Sequence, residues 1–276
     1  MRAHLKLTDA GKVESPNQEC TWYLKMQGNC TEIYRKLNYS TVSSEYKRGL
    51  MGGFSRESRM SLLRLVNKVD PDKIGKSSFV TLTYPDSWLY IGQKPRSSHR
   101  AQFLKKLEYH CGKHVATVWR IEWKARLSGA NVGAFAPHYH FMAFNVPFIT
   151  KEEIRRWWRE ILDVEGALST DVKKIKNWLM ASAYIGKYIA KESALDITAY
   201  RNNPYMRGRH WGNTRKELLP MAEVDTLKQL TGREIELAQA YAADKFTHYD
   251  QEKGGGFTLF GKEHRAAFKT IQDLAS

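Results

Sequence analysis

Two histidines separated by one tyrosine are the residues of this sequence best suited to hold a metal ion. His138, Tyr139 and His140 are followed by an apolar and aromatic run at residues 141–144, which favours a β-strand. Residues two apart on a strand lie on the same face, so both imidazoles would point to one side. Neutral imidazole is a common ligand of divalent cations, and the spacing therefore predicts part of a metal site.

A carboxylate would complete such a site, and Glu122 is the candidate. Residues 115–124 alternate in the manner of a strand, and residues 127–136, which include two glycines, form the expected hairpin connection. If the two strands pair antiparallel about a centre near Ala130, Glu122 lies opposite His138 on the same face. The metal prediction depends on this register, because a slip of one residue would turn the carboxylate away.

A second group of reactive side chains lies between residues 183 and 191. Tyr184, Lys187, Tyr188 and Lys191 are three, four and seven residues apart, a spacing that places them on one face of a helix. A free phenol has a pKa of about 10, so a tyrosine nucleophile needs a nearby cation or a metal-polarised target. The apolar stripe that would dock this helix consists of Ile175, Trp178, Leu179, Ile185 and Ile189.

Each of these patterns also has a purely structural interpretation. Helical tyrosines are often half-buried packing residues with a polar tip. The histidines could be hydrogen-bonded core residues, and Glu122 could form a surface ion pair with Arg120 or Arg126. Both interpretations stay open for each motif taken alone.

The order of the motifs resembles that of the HUH endonucleases. The strand Phe79-Val80-Thr81-Leu82-Thr83-Tyr84 comes first, then Glu122, the histidine pair and the tyrosine segment. Two tyrosines with a lysine between them are similar to the rolling-circle replication initiators of single-stranded DNA phages and plasmids. Gly208-Arg209-His210-Trp211-Gly212 also resembles a segment that follows the tyrosine motif in initiators of filamentous-phage type. The resemblance covers roughly residues 54–212 and depends on the order of several weak motifs.

This resemblance implies a reaction and the residues that carry it. The reaction is metal-dependent nicking and rejoining of one DNA strand at an origin, through a covalent 5′-phosphotyrosine and a free 3′-OH. The implied cofactor is Mg²⁺ or Mn²⁺, held by Glu122, His138 and His140. The implied catalytic residues are Tyr184, Tyr188, Lys187 and Lys191, and the sequence does not rank the two tyrosines.

The composition agrees with a nucleic-acid partner. The chain of 276 residues has 44 Lys and Arg against 29 Asp and Glu, a net charge of +15, which attracts polyanions. A basic surface alone also fits an RNA-binding protein or an anionic membrane surface. The candidate DNA contacts are Arg155, Arg156, Arg159 and Arg209. The expected substrate is single-stranded or hairpin origin DNA, because the target must be unpaired to reach such a site.

Several features of the sequence indicate the partners and the compartment to expect. No complete phosphate-binding loop of an ATPase is present, so a host helicase and a host DNA polymerase are expected partners. No apolar run is long enough to span a membrane, and the start of the chain lacks a signal-peptide pattern. Cys20, Cys30 and Cys111 form no even disulfide set, which suits a reducing compartment. The expected location is the cytoplasm, that of the host cell if a phage encodes the chain.

The element pattern predicts an α+β fold with an antiparallel central sheet flanked by helices, of ferredoxin-like or RNA-recognition-like type, with helical extensions. The predicted domains are an N-terminal extension at 1–75, the endonuclease domain at 76–212 and a C-terminal helical extension at 213–276. Within them we expect helices at 56–67, from Ser97 or Ser98 to 111, after Thr150, and one or two helices between 218 and 243. A short strand is expected within 167–172.

Two other functions stay open at this stage. A single-strand DNA transposase would use the same chemistry on a different target. A non-catalytic, basic nucleic-acid-binding protein would share the sheet and the charge but would bind no metal and would not need its tyrosines.

Overall fold

The computed structural model describes residues 6–7, 13–14, 20–37, 54–127, 129–166, 168–178, 181–182, 203–246, 256–260, 267 and 269. By its contacts the chain divides into two compact units, Arg48–Met221 and the combination of Met1–Lys47 with Ala222–Ser276. The domain boundaries expected at residues 75 and 212 stay predictions.

The elements in chain order are β1 (Lys6–Leu7), β2 (Val13–Glu14), β3 (Cys20–Gln27), β4 (Cys30–Leu37), α1 (Arg56–Asn67), β5 (Ser78–Thr83), α2 (Gln93–Cys111), β6 (Thr117–Ala125), β7 (Phe135–Ala143), α3 (Lys151–Leu162), β8 (Thr170–Lys174), β9 (Trp211–Thr214), β10 (Val224–Gln229), α4 (Gly232–Lys245) and β11 (Phe257–Phe260). Short 3-10 helices lie at Asp86–Trp88, Pro204–Met206 and Lys216–Leu218.

The larger unit is built on a five-stranded sheet in the order β8-β5-β7-β6-β9, and every pair of neighbouring strands is antiparallel. The strand predicted at 79–84, the histidine strand and the short strand after residue 167 are all present. The predicted α+β class with an antiparallel central sheet is therefore confirmed.

Alternation along the strands gives this sheet two different faces. On one face, Tyr139 and Phe141 of β7 pack with Phe103 of α2 and Trp158 of α3. On the other face, Val118, Met142 and Phe144 of the sheet pack with Leu62 and Val66 of α1 and with Trp178. Because side chains alternate along a strand, His138 and His140 share the second face with Met142.

The helices of the larger unit begin where short polar residues can cap them, with one exception. Ser55 caps α1 and Thr150 caps α3, each accepting a hydrogen bond from a backbone N–H of the first turn. The exception is α2, which begins at Gln93 after Gly92, so the start predicted at Ser97 or Ser98 was wrong. Pro95 explains the difference, because a proline in the first turn lacks only an N–H that the helix would leave unpaired.

The smaller unit contains a four-stranded antiparallel sheet in the order β10-β3-β4-β11 and a two-stranded sheet of β1 and β2. Trp22, Leu24 and Ile33 form its core together with Ala238 of α4. Residues 224–229, predicted as helix, form β10 instead, because they pair with residues 23–27 of β3 and that pairing outweighs local helix preference. The helix prediction is confirmed only for α4, which begins with a capping box at Thr231.

Within the described ranges, no helix is both long enough and apolar enough to cross a membrane.

Candidate functional site

The register of the β6–β7 hairpin places Glu122 directly opposite His138. This is the pairing that the sequence predicts from a hairpin centre near Ala130. On the other side of β7, Thr81 pairs with His140 and Thr83 pairs with His138. Three neighbouring strands therefore bring one carboxylate, two imidazoles and two hydroxyls to one patch of the sheet.

Hydrogen bonds fix the orientation of both imidazole rings. Thr83 Oγ1 lies 2.8 Å from His138 Nδ1, and Thr81 Oγ1 lies 3.2 Å from His140 Nδ1. On the opposite side of its ring, His140 Nε2 lies 2.9 Å from Glu122 Oε2. The Nδ1 atoms thus face β5, and the Nε2 atom of His140 faces the carboxylate.

One ring nitrogen of His138 is available to a ligand. Its Nε2 atom is buried and has no hydrogen bond within the described residues. Burial, which is the largest cause, and the charge of His140 together lower the pKa of His138 to about 4. The imidazole is therefore neutral at pH 7, which is the form that binds metal ions. A buried, unpaired ring nitrogen needs a partner, and a cation is one that fits.

Glu122 is charged at neutral pH although it is largely buried. Burial raises the pKa of this carboxyl, but the hydrogen bond and the charge of His140, with Arg120, lower the pKa by more. The side chains of Glu122 and His140 are only 14% and 12% exposed. A carboxylate kept ionised in such a place is either half of a buried ion pair or a ligand for a cation.

These residues fit a divalent cation in part. Two ligands at right angles around Mg²⁺, each at about 2.1 Å, are about 3.0 Å apart, which is close to the 2.9 Å between Glu122 Oε2 and His140 Nε2. The Thr–histidine hydrogen bonds supply the outer contacts that usually orient metal-binding imidazoles. As the side chains stand, no group of three His, Cys, Asp or Glu within the described ranges is already arranged around one ion.

An open cleft of about 500 Å³ lies beside His138 at the end of the strands. Lys124 and Arg126 are among its lining residues. Arg126 is anchored there, because its Nε lies 2.9 Å from Asp86 and its Nη2 donates to the Tyr84 carbonyl over 2.7 Å. Asp86 also lines the cleft and offsets the charge of Arg126, so it is Lys124 that gives a phosphate group a positively charged approach to the histidine patch.

The predicted tyrosine helix is described only at its beginning. Trp178, Ala181 and Ser182 are helical, and the Ala181 N–H donates to the Asn177 carbonyl over 3.1 Å. Trp178 is 2% exposed and packs against Phe144, on the same face of the sheet as the histidines. The catalytic candidates lie outside the described residues; they are Tyr184, Lys187, Tyr188 and Lys191.

The predicted DNA-binding arginines do not lie together with the histidine patch. Arg155, Arg156 and Arg159 belong to α3, which packs on the opposite face of the sheet. Arg156 forms ion pairs with Glu153 and Glu160. Arg209 is exposed and precedes β9, the edge strand beside β6. Their role in DNA binding stays a prediction.

Thr81 and Thr83 were not predicted as part of the site, although their strand was. A usable signal was present, because Thr81 and Thr83 are two residues apart and share one face of β5 in the way the histidines share one face of β7.

Comparison with known proteins connects this patch with DNA replication. A family model for replication-associated proteins of the ORF2 group matches residues 77–193. No curated protein matches the chain. Among solved structures, "Crystal Structure of the hypothetical protein ORF119 from Sulfolobus islandicus rod-shaped virus 1" is similar at 12% identity and a TM-score of 0.28, over 50% of this chain and 95% of that one. The chain is thus similar to a family of replication-associated proteins over the segment that carries its candidate site.

Proposed function

We propose that this chain is a replication initiator of HUH type, which nicks and rejoins one DNA strand at an origin. The observation that carries the proposal is the convergence of Glu122, His138 and His140 on one face of an antiparallel sheet. All three lie within the segment that is similar to replication-associated proteins, and so do Tyr184 and Tyr188.

Glu122, His138 and His140 would hold Mg²⁺ or Mn²⁺. When bound, the cation would neutralise charge that develops on the scissile phosphate. Thr81 and Thr83 hold the two imidazoles in place through their Nδ1 atoms. Lys124 in the neighbouring cleft, beside the Arg126–Asp86 ion pair, would attract the phosphates of the approaching strand.

The covalent step belongs to the tyrosines. The phenol oxygen of Tyr184 or Tyr188 attacks phosphorus, the bond from phosphorus to the 3′-oxygen breaks, and the phenol proton ends on the released 3′-OH. Lys187 and Lys191 would stabilise the tyrosinate or a phosphate oxygen. Rejoining is the reverse, in which a 3′-OH attacks the phosphotyrosine and restores the phenol. The second tyrosine would act on the junction that one round of replication regenerates.

The test uses labelled single-stranded fragments that tile the replicon encoding this chain. They are incubated with protein and Mn²⁺, Mg²⁺ or EDTA and run on a denaturing gel. The proposal predicts a cation-dependent nick and a covalent adduct, both lost when Tyr184→Phe and Tyr188→Phe are combined. Fragments that bind without a nick or an adduct in either cation would contradict it and favour a non-catalytic binding protein.

A further inference from the structure

We propose that a basic groove at the start of β5 binds single-stranded DNA that flanks the cleaved phosphate. The inference rests on the proposed function for the position of that phosphate. The groove itself is defined by hydrogen bonds and side chains that lie outside the histidine patch. The groove has a volume of about 350 Å³. Its lining includes Lys76, Ser77, Phe148, Lys174, Ile175 and Lys176.

Backbone hydrogen bonds hold the groove in shape. The Val146 N–H donates to the Lys76 carbonyl over 2.7 Å, which fixes the loop before Phe148 against the start of β5. The Ile175 N–H donates to the Ser77 carbonyl over 2.9 Å, which fixes the opposite wall. The groove is therefore part of the sheet's framework rather than a gap between loose side chains.

The charge of the groove is entirely positive. Lys76, Lys174 and Lys176 are exposed, and no carboxylate is among the lining residues. None of the three pairs with a carboxylate in the part of the chain that is described, whereas nearby Lys73 and Lys173 pair with Asp70 and Asp171. Three uncompensated ammonium groups along one groove attract a chain of phosphates.

An exposed aromatic ring favours a single strand over a duplex. Phe148 is 48% exposed, and Lys174 Nζ lies 4.7 Å from the centre of its ring. Folds that bind single strands combine a positive groove with an aromatic side chain on which an unpaired base stacks. A duplex keeps its bases stacked on each other and would contact only the lysines.

The groove is within reach of the histidine patch along the same strands. Ser78 pairs with Ala143, and Thr81, three residues further on, pairs with His140. Three residues of strand span about 10 Å, or about three nucleotide steps at the spacing of a B-form strand. Ile175 packs in the same core as Trp178, which precedes the tyrosine segment in the sequence. A strand held in the groove would therefore continue past the histidines.

The test compares two triple variants of the full chain that remove the same charge. The groove variant is Lys76→Gln, Lys174→Gln and Lys176→Gln. The control is Lys94→Gln, Lys105→Gln and Lys113→Gln, three exposed lysines on and just after α2 that form no described ion pair. The probe is fluorescent oligothymidylate of about 20 nucleotides, longer than the roughly 4–16 nucleotides that single-strand folds cover. Affinity is measured in EDTA against salt concentration.

The groove variant should reduce the slope of log affinity against log salt by about 2, because each contact with a single-strand phosphate contributes about 0.7. The control triple should leave the slope unchanged, and equal melting temperatures would show that both variants are folded. Equal reductions in both variants, or none in the groove variant, would overturn the inference.

A second test concerns the stacking of a base on Phe148. Phe148→Leu should weaken binding of the oligothymidylate about tenfold, as loss of one stacked base does, whereas Phe148→Tyr should preserve it. A duplex of the same length that lost as much affinity would overturn the single-strand assignment. These experiments measure binding and no nicking. A negative result would therefore count against the groove alone, because the nuclease proposal is tested only by the covalent adduct.

Discussion

The hydroxyls of Thr81 and Thr83 determine which edge of each histidine ring remains available for a ligand. Each hydroxyl contacts an Nδ1 atom, at 3.2 Å for His140 and 2.8 Å for His138. If the rings donate their Nδ1 protons to these hydroxyls, both Nε2 atoms carry a lone pair. His140 Nε2 and Glu122 Oε2 would then be two acceptors 2.9 Å apart, an arrangement that a shared cation stabilises.

Removing one of these hydroxyls should therefore weaken metal binding without removing a ligand. Thr83→Val keeps the shape of the side chain but loses the contact to His138, and we expect Mn²⁺ affinity to fall about 10- to 100-fold. Thr83→Ser retains the hydroxyl and should restore most of the affinity. Mn²⁺ binding followed by electron paramagnetic resonance measures both. Equal affinity in the valine and wild-type proteins would show that the threonine does not position the ring.

Acid should destabilise the larger unit through its buried histidines. Burial lowers the pKa of His210 to about 4, and the charges of Arg96 and Arg120 act in the same direction. The unfolded chain takes up a proton on this residue near pH 6.5 and the folded chain does not until about pH 4. The free energy of unfolding therefore falls as pH drops through that window, by up to about 2 kcal/mol between pH 6.5 and 5.

His210→Phe tests this pH dependence, because phenylalanine can keep the stacking on Phe54 but cannot take up a proton. We expect denaturant unfolding of the variant to lose less stability than wild type between pH 6.5 and 5. The pKa of His138 is also lowered, mainly by burial, so the variant should still lose part of its stability in acid. An identical loss in wild type and variant would refute the assignment to His210.

At the scale of elements, β9 depends on a glycine that lets it lie against β6. Gly212 pairs with Trp119, and a Cβ atom at this position would be 2.7 Å from the indole ring of Trp119. This close approach gives a structural reason for the second glycine of the segment that resembles phage initiators.

Gly212→Ala should therefore destabilise the larger unit by about 1–3 kcal/mol, since the indole would have to move. Gly232→Ala is the control, because a Cβ there meets nothing within 4 Å. That variant should melt at or slightly above the wild-type temperature. A Gly212→Ala protein that melts with wild type would show that the β9 contact adapts without cost.

The sequence predicts an element well when local signals determine its position, and poorly when distant strands do. The Glu122–His138 register could be predicted, because both strands leave one hairpin and alternate clearly. Strand β10 was mispredicted because pairing with the distant β3 decides it. The start of α2 was mispredicted although its signal, a proline in the first turn, is local.

Two parts of the structure were not predicted. The β3–β4 hairpin left a readable signal, a two-residue Gly28-Asn29 connection between alternating runs. The spacing of Thr81 and Thr83 indicates that they share one face of β5. The residue types alone do not show that β7 lies beside β5, because α2 and β6 separate the two strands in the chain.

For the whole molecule, the two units differ in net charge. Arg48–Met221 contains 30 Lys and Arg residues against 15 Asp and Glu residues, and the remainder of the chain contains 14 of each. The net charge of +15 thus belongs to the unit that carries the histidine patch and the basic groove. The smaller unit has no net charge with which to attract DNA over a distance.

Neutralising lysines of the smaller unit should consequently leave the salt dependence of DNA binding unchanged. Lys25 and Lys36 belong to β3 and β4 of that unit. We expect the double variant Lys25→Gln, Lys36→Gln to bind oligothymidylate with the wild-type slope of log affinity against log salt. A slope reduced by more than about 1 would place phosphate contacts on the smaller unit.

In the proposed reaction, a tyrosine of residues 183–191 attacks a phosphate held at the Glu122–His138–His140 patch. Its most direct test is peptide mass spectrometry of protein that has reacted with single-stranded origin DNA and Mn²⁺ and then been treated with nuclease. We expect a nucleotide linked to Tyr184 or Tyr188, absent with EDTA and absent in Glu122→Gln. A nucleotide on another residue, an adduct that forms equally well in EDTA, or bound DNA without any adduct would contradict it.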